Sequence, residues 1–190
     1  MSTLTVVRKG KSAAIASDSL FCQGSIKVTA DNKRNHHKIH KFQNAYIGFT
    51  GWSVFHNVFE SVVEEHPNEI HLESRQQIFK TFRRLHVLLK EEYHIVTTED
   101  KDQPIESSQW DCLIICPSGI FQVGSYREVS EYDRFWADGT GTRFALGAMH
   151  SVYEFYETAE EIARAGVEAS CALDDGSAPP IQSFTIKLKK

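Results

Sequence analysis

Ser2 follows Met1, so loss of the methionine leaves one residue carrying both a hydroxyl and a free α-amine. That pair can carry out acyl transfer by itself. The hydroxyl attacks a carbonyl, and the amine, with a reference pKa of about 7.7–8.0, accepts its proton at neutral pH. Sixteen residues further on, Asp18 closes the polar cluster Ser17-Asp18-Ser19 behind the apolar run Ala13 to Ala16.

Other constellations point to less. His36, His37 and His40 suggest a metal, but adjacent histidines do not readily share one tetrahedral ion and no cysteine lies near, so the stretch reads as a solvated loop. Gly139-Thr-Gly-Thr142 has neither the Gly-x-Gly-x-x-Gly spacing nor the lysine of a phosphate loop. Cys112 and Cys116 lie in the apolar run Cys112-Leu-Ile-Ile-Cys116, which reads as buried reduced thiol. No cofactor is called for. A formal charge of −4 gives no basic field for nucleic acid or an anionic membrane. The start lacks a signal-like apolar stretch and no segment reaches a membrane span, so a cytoplasmic protein is expected.

Around these residues the chain, 41% hydrophobic and 24% charged, reads as one domain over residues 1–190, without repeat or linker. Leu4–Arg8 and Ala13–Ala16 predict a hairpin across Lys9-Gly10-Lys11, and Ser25–Val28 and Ala45–Phe49 predict two more strands. The apolar spacing of Val54, Phe55, Val58, Phe59, Val62 and Val63 predicts a helix that stops near Pro67. Ser74-x-x-Gln77 caps a second helix with Ile78, Phe82, Leu85 and Leu89 as its stripe. Thr97 to Gln109 is a long polar loop, functional or mobile. Asp111–Cys116 and Ile120–Val123 predict a hairpin, Arg143–Tyr156 a third helix, and Thr158-x-x-Glu161 the cap of a fourth. Ile181–Leu188 alternates as a last strand. The order ββββ-αα-ββ-αα-β buries every face most economically as a four-layer αββα sandwich, an α+β fold.

This order, with the near-terminal Ser2, Ile15-Ala-Ser-Asp-Ser19, Lys38-Ile-His-Lys41 and the Gly48-Phe-Thr-Gly51 turn, resembles the proteasome β-subunit family of N-terminal-nucleophile peptidases. The HslV-type peptidases are similar through Arg8-Lys9-Gly10 and Gly48-Phe-x-Gly51. Four extra residues between Asp18 and Lys38, and the Thr97 to Gln109 loop, set the chain apart from HslV and resemble the betaproteobacterial proteasome homologue.

The resemblance implies roles residue by residue. The terminal nucleophile falls on Ser2, sixteen residues before Asp18, whereas Thr3 gives fifteen. Serine replaces the family's threonine and lacks the methyl that restrains the rotamer. The family lysine falls on Lys38, thirteen residues before Gly51. Lys33 lies eighteen before it, and Arg34 is the residue at equal spacing from Asp18. Gly51 matches the oxyanion-hole glycine, Thr140 the hydroxyl of a Gly-Ser-Gly turn, and Asp174 with Ser177 an Asp-x-x-Ser motif. A charged Lys38, held by Asp18, would lower the pKa of the Ser2 amine.

The resemblance also implies a self-compartmentalising peptidase, with peptides or unfolded proteins as substrate. Stacked homo-oligomeric rings of six- or sevenfold symmetry and an ATP-dependent unfoldase complete that expectation. An amidase acting on a small molecule, and a ring subunit without catalysis, are the alternatives.

Overall fold

The computed structural model describes residues 1–189. β1 (Thr3–Lys9) and β2 (Ser12–Ser17) pair antiparallel as the opening hairpin. β11 (Gln182–Lys187) adds to the far side of β2, and β10 (Phe135–Gly139) to the far side of β1, giving a four-stranded sheet in the order β10-β1-β2-β11. A second sheet contains β5 (Ile39–Phe42), β6 (Ala45–Gly51), β7 (Trp110–Cys116), β8 (Gly119–Val123) and β9 (Val129–Tyr132) in chain order. β3 (Phe21–Gln23) and β4 (Ile26–Val28) form a separate small hairpin.

Among the described residues, four α-helices lie outside the sheets. α1 (Val54–Glu65) and α2 (Arg75–Glu91) cover the five-stranded sheet, and α3 (Thr142–Val152) and α4 (Ala159–Leu173) cover the four-stranded one. Strand alternation assigns each face. Leu4, Val6, Ala13 and Ile15 meet Ile39, Leu113, Ile115 and Ile120 between the sheets. On the other face of the first sheet Val7, Ala14 and Ala16 pack on Ile162, Ala163 and Val167 of α4. The αββα sandwich thus has three apolar layers, each buried large side chain contributing about 1.5–3 kcal/mol.

The structure adds four strands to the order read from the sequence: β3, β5, β9 and β10. β5 carries His40 and Lys41 and buries only Ile39 and Phe42 at its ends. β9 and β10 contain Ser130, Glu131, Asp138 and Gly139, and are strands because β8 and β1 supply their partners. Local propensity there is overridden by pairing.

The segment from Thr97 to Gln109 has no helix or strand, yet it is tied down. His86 Nδ1 lies 3.0 Å from Ser108 Oγ, and its Nε2 lies 3.2 Å from a Glu106 carboxylate oxygen. Arg127 donates to the same Ser108 hydroxyl at 2.9 Å. Burial holds the His86 pKa down, and a neutral ring accepts from Ser108 and donates to Glu106. No helix among the described residues is long and apolar enough to cross a membrane.

Candidate active site

The β1–β2 hairpin brings the start of the chain against the end of β2. Asp18, one residue past β2, is fully buried and uses both carboxylate oxygens. Oδ1 accepts from Lys38 Nζ at 2.7 Å and from the Thr3 N–H at 2.9 Å. Oδ2 accepts from the N–H groups of Leu20, at 2.9 Å, and Ala178, at 3.2 Å. These bonds fill the acceptor sites an ionised carboxylate offers. The Asp18 N–H returns a bond to the Thr3 carbonyl at 3.2 Å, so residues 3 and 18 hold each other in both directions.

Lys38, immediately before β5, is 1% exposed. Burial lowers its pKa, and the attraction of Asp18 works against that shift. The Phe21 ring centroid stands 5.2 Å from its ammonium. Lys33 instead rests its ammonium 4.3 Å from the Phe21 ring centroid. Lys38, rather than Lys33 or Arg34, is the cation that meets Asp18.

On the other side of β1, Thr3 stands opposite Gly139 of β10. Gly139 has φ +98°, and a Cβ there would lie 2.1 Å from the Ser2 carbonyl oxygen. A Cβ on Gly141 would lie 2.1 Å from Thr3 Oγ1. Two glycines therefore let this turn close around residues 2 and 3. Between them Thr140 Oγ1 donates to Asp174 at 2.8 Å and reaches the Ser2 carbonyl oxygen at 3.4 Å. Ser177 Oγ donates to the same Asp174 oxygen at 2.7 Å. With its one hydrogen so engaged, Ser177 accepts from Thr3 Oγ1, 2.7 Å away.

Ser2, Asp18, Lys38, Thr140, Asp174 and Ser177 are thus linked by consecutive contacts through the backbone and hydroxyl of Thr3. The buried Ser2 hydroxyl donates to the Met1 carbonyl. Gly51 joins this set indirectly. It ends β6 at φ +90°, is exposed, and follows Thr50, whose methyl lies 3.4 Å from the Cβ position on Gly139. A Cβ on Gly51 itself would meet only the Gln109 carbonyl, 3.9 Å away, so conformation and not space calls for glycine there.

Sequence reasoning missed Thr3, Gly139 and Gly141 as parts of the site. The signal for both glycines is present in Gly139-Thr140-Gly141, where they flank the hydroxyl of Thr140. It also missed an acidic pair behind Gly51. Thr50 donates to Asp138, and Asp111 stands opposite Thr50 on β7. Burial, then the charge of Asp138, pushes the Asp111 pKa up to about 6.

A pocket of about 570 Å³ beside β5 and α1 is lined by His37, His40, His56 and Glu60 among others. His40 Nε2 lies 3.0 Å from His56 Nδ1. Burial lowers both pKa values, that of His56 to about 3, so the pair is uncharged at neutral pH. His36 and His37 face each other, ring centroids 4.3 Å apart, rather than converging with His40. Glu65, His66 and Glu92 bring three possible ligand atoms within 4.8 Å, at the opposite end of α1 from Gly51.

The structure of Thiobacillus denitrificans BPH, a bacterial proteasome homologue, matches with a TM-score of 0.92 and 38% sequence identity. The match covers 99% of this chain and 100% of that one, and that structure is a complex with epoxomicin. A second structure of the same protein matches at 0.92 and 37%, covering 98% of each chain. The chain belongs to the HslV-like proteasome β-subunit family. Eukaryotic HslV from Trypanosoma brucei matches with a TM-score of 0.67 over 97% of this chain and 99% of that one. At 20% identity that likeness shows the shared fold alone. No family model and no curated protein matches the chain. For this family member the four-layer architecture is the N-terminal-nucleophile peptidase fold.

Proposed function

We propose that the chain is a peptidase whose nucleophile is the Ser2 hydroxyl, freed with its α-amine by removal of Met1. The observation that carries this reading is the buried Asp18 carboxylate, which joins Lys38 Nζ and the Thr3 N–H within 2.9 Å at the start of the first strand. It fixes a cation and the terminal backbone on one anion.

In this mechanism the neutral Ser2 amine takes the hydroxyl proton as the oxygen attacks a peptide carbonyl. The Lys38 charge disfavours a second cation nearby and so keeps the amine available at neutral pH. Asp18 keeps Lys38 charged and in place, since an unpaired buried ammonium costs several kcal/mol. The Gly51 N–H receives the developing oxyanion. The amine then passes its proton to the leaving nitrogen, and later activates the water that releases the acyl-enzyme ester. Thr140, Asp174 and Ser177 act as positioning residues, holding residues 2 and 3 through hydroxyls and one carboxylate. No cofactor or metal enters a step.

Relatedness to BPH supports the wider reading. The chain works as one domain, residues 1–190, in stacked homo-oligomeric rings of six- or sevenfold symmetry in a cytoplasm. Peptides or unfolded proteins are the substrate, with an ATP-dependent unfoldase as partner. Hydrolysis of fluorogenic peptides by the assembled protein, lost in Ser2→Ala with assembly intact by light scattering, is the expected result. Equal hydrolysis by Ser2→Ala would remove Ser2 from the chemistry.

A further inference from the structure

A second cleft opens directly beside Gly51. It has a volume of about 410 Å³ and is lined by Trp52, Val54, Val58, Tyr93, Val96 and Gln109 among others. Among the described residues, no charged side chain lines it. Trp52 and Val96 are each 71% exposed and Val54 is 56% exposed. Apolar groups gathered at that exposure are characteristic of a binding surface. We propose that this cleft is a specificity-determining subsite that takes a large apolar side chain of the peptide substrate. The inference rests on the peptidase reading above and adds its substrate class.

Three observations carry it. The cleft adjoins the proposed oxyanion donor, because Trp52 follows Gly51 and the Gln109 carbonyl lies 3.9 Å from the Cβ position on that glycine. An extended peptide advances about 3.3 Å per residue, so in the proposed binding mode, with one carbonyl on the Gly51 N–H, the side chain that enters the cleft belongs to a residue close to the reacting bond. The walls are also held in place. Phe55 and Val58 of α1 are buried beneath it, Tyr93 donates to Ser61 at 2.8 Å, and His86 and Arg127 fasten Ser108 beside Gln109. Lastly, the lining offers a substrate charge no partner, so burying Asp or Lys there is costly while burying Phe or Leu is favourable.

The test uses the assembled protein carrying Ser2→Ala and two peptides identical except for Phe or Asp at one position near the reacting bond, scanned in turn. Trp52 reports directly, since its indole loses water when covered. The expected result is a saturable blue shift of tryptophan emission with the Phe peptide at one position, absent with the Asp peptide, and abolished by adding Trp52→Phe. In the chain with Ser2 intact, Trp52→Ala is expected to lower the Phe-over-Asp ratio of kcat/KM about tenfold or more. Equal responses to both peptides at every position overturn the proposal. So does emission that is already blue, ignores peptide and reddens when the assembly dissociates, because a second copy then covers the cleft. The binding shift is read without turnover. A normal shift with no cleavage by the Ser2 chain therefore counts against the peptidase reading alone.

Discussion

Lys38 Nζ and Asp18 Oδ1 meet at 2.7 Å with the two side chains 1% and 0% exposed. The pair is asymmetric, because Asp18 also accepts three backbone N–H groups, whereas among the described residues the Lys38 ammonium donates to Asp18 alone. Asp18→Asn leaves a buried ammonium without its anion and is expected to cost about 3–5 kcal/mol. Lys38→Met leaves the carboxylate bonded to three donors and is expected to cost less. Urea unfolding measures both, and peptide cleavage is expected to be lost in each. Equal destabilisation by the two would show that the backbone bonds do not sustain the carboxylate.

Gly51 and Gly139 separate conformation from space. Both have positive φ, but a Cβ on Gly139 would strike the Ser2 carbonyl oxygen at 2.1 Å and one on Gly51 would touch nothing closer than 3.9 Å. Gly51→Ala is expected to cost about 1–2 kcal/mol from backbone strain and, on the proposed mechanism, to lower kcat about 100-fold by moving the proposed oxyanion donor. Gly139→Ala is expected to displace residues 2 and 3 and to cost more in stability as well as in rate. Thermal melts beside kcat measurements distinguish the two.

Thr140→Val removes a hydroxyl that donates to Asp174 at 2.8 Å and keeps the shape. Ser177 remains on the same carboxylate oxygen. The expected outcome is a fall of about tenfold in kcat, the scale of one hydrogen bond to a charged group, with KM little changed. Thr140→Ser retains the donor and is expected to recover the rate. A rise in KM alone would place Thr140 in substrate binding.

Asp111 makes stability depend on pH. Burial, the nearby Asp138 and the more distant Glu128 and Glu99 raise its pKa from 3.8 to about 6, while the Ser125 N–H opposes them. A raised folded-state pKa means that the group's contribution is fully present below pH 3.8 and is lost as pH rises through about 6. Asp111→Asn is therefore expected to stabilise the protein at pH 7, by on the order of 2 kcal/mol, and to have little effect at pH 3.5. Urea midpoints at the two pH values measure this, and a pH-independent difference would contradict it.

Much of the fold was legible because the strongest signals were local. Leu4, Val6 and Val7, with Ala13 to Ala16, announce a hairpin buried on both faces, and Thr158 with Glu161 forms both halves of its capping box. At Ser74 only one half forms: Ser74 Oγ accepts the Gln77 N–H, while the Gln77 side chain accepts from Ser74 Oγ instead of capping its backbone. β10 was not legible because Asp138 and Gly139 contradict a strand and only pairing with Leu4 and Thr3 makes it one. The candidate site divides in the same way. The spacing of Ser2 and Asp18 is a property of one hairpin. Lys38 is singled out over Lys33 only through the family resemblance and its spacing to Gly51, and its bond to Asp18 spans 20 residues. That Thr3 joins Ser177 depends on a contact across 174 residues, which no local pattern encodes.

The central claim, that Ser2 acts with its own α-amine, is tested most directly by intact mass. The mature chain is expected to lack Met1, and treatment with epoxomicin, an epoxyketone bound by BPH, is expected to add one inhibitor mass to the chain and none to Ser2→Ala. Retained Met1, an acetylated Ser2, or an adduct of equal yield on Ser2→Ala would contradict the account.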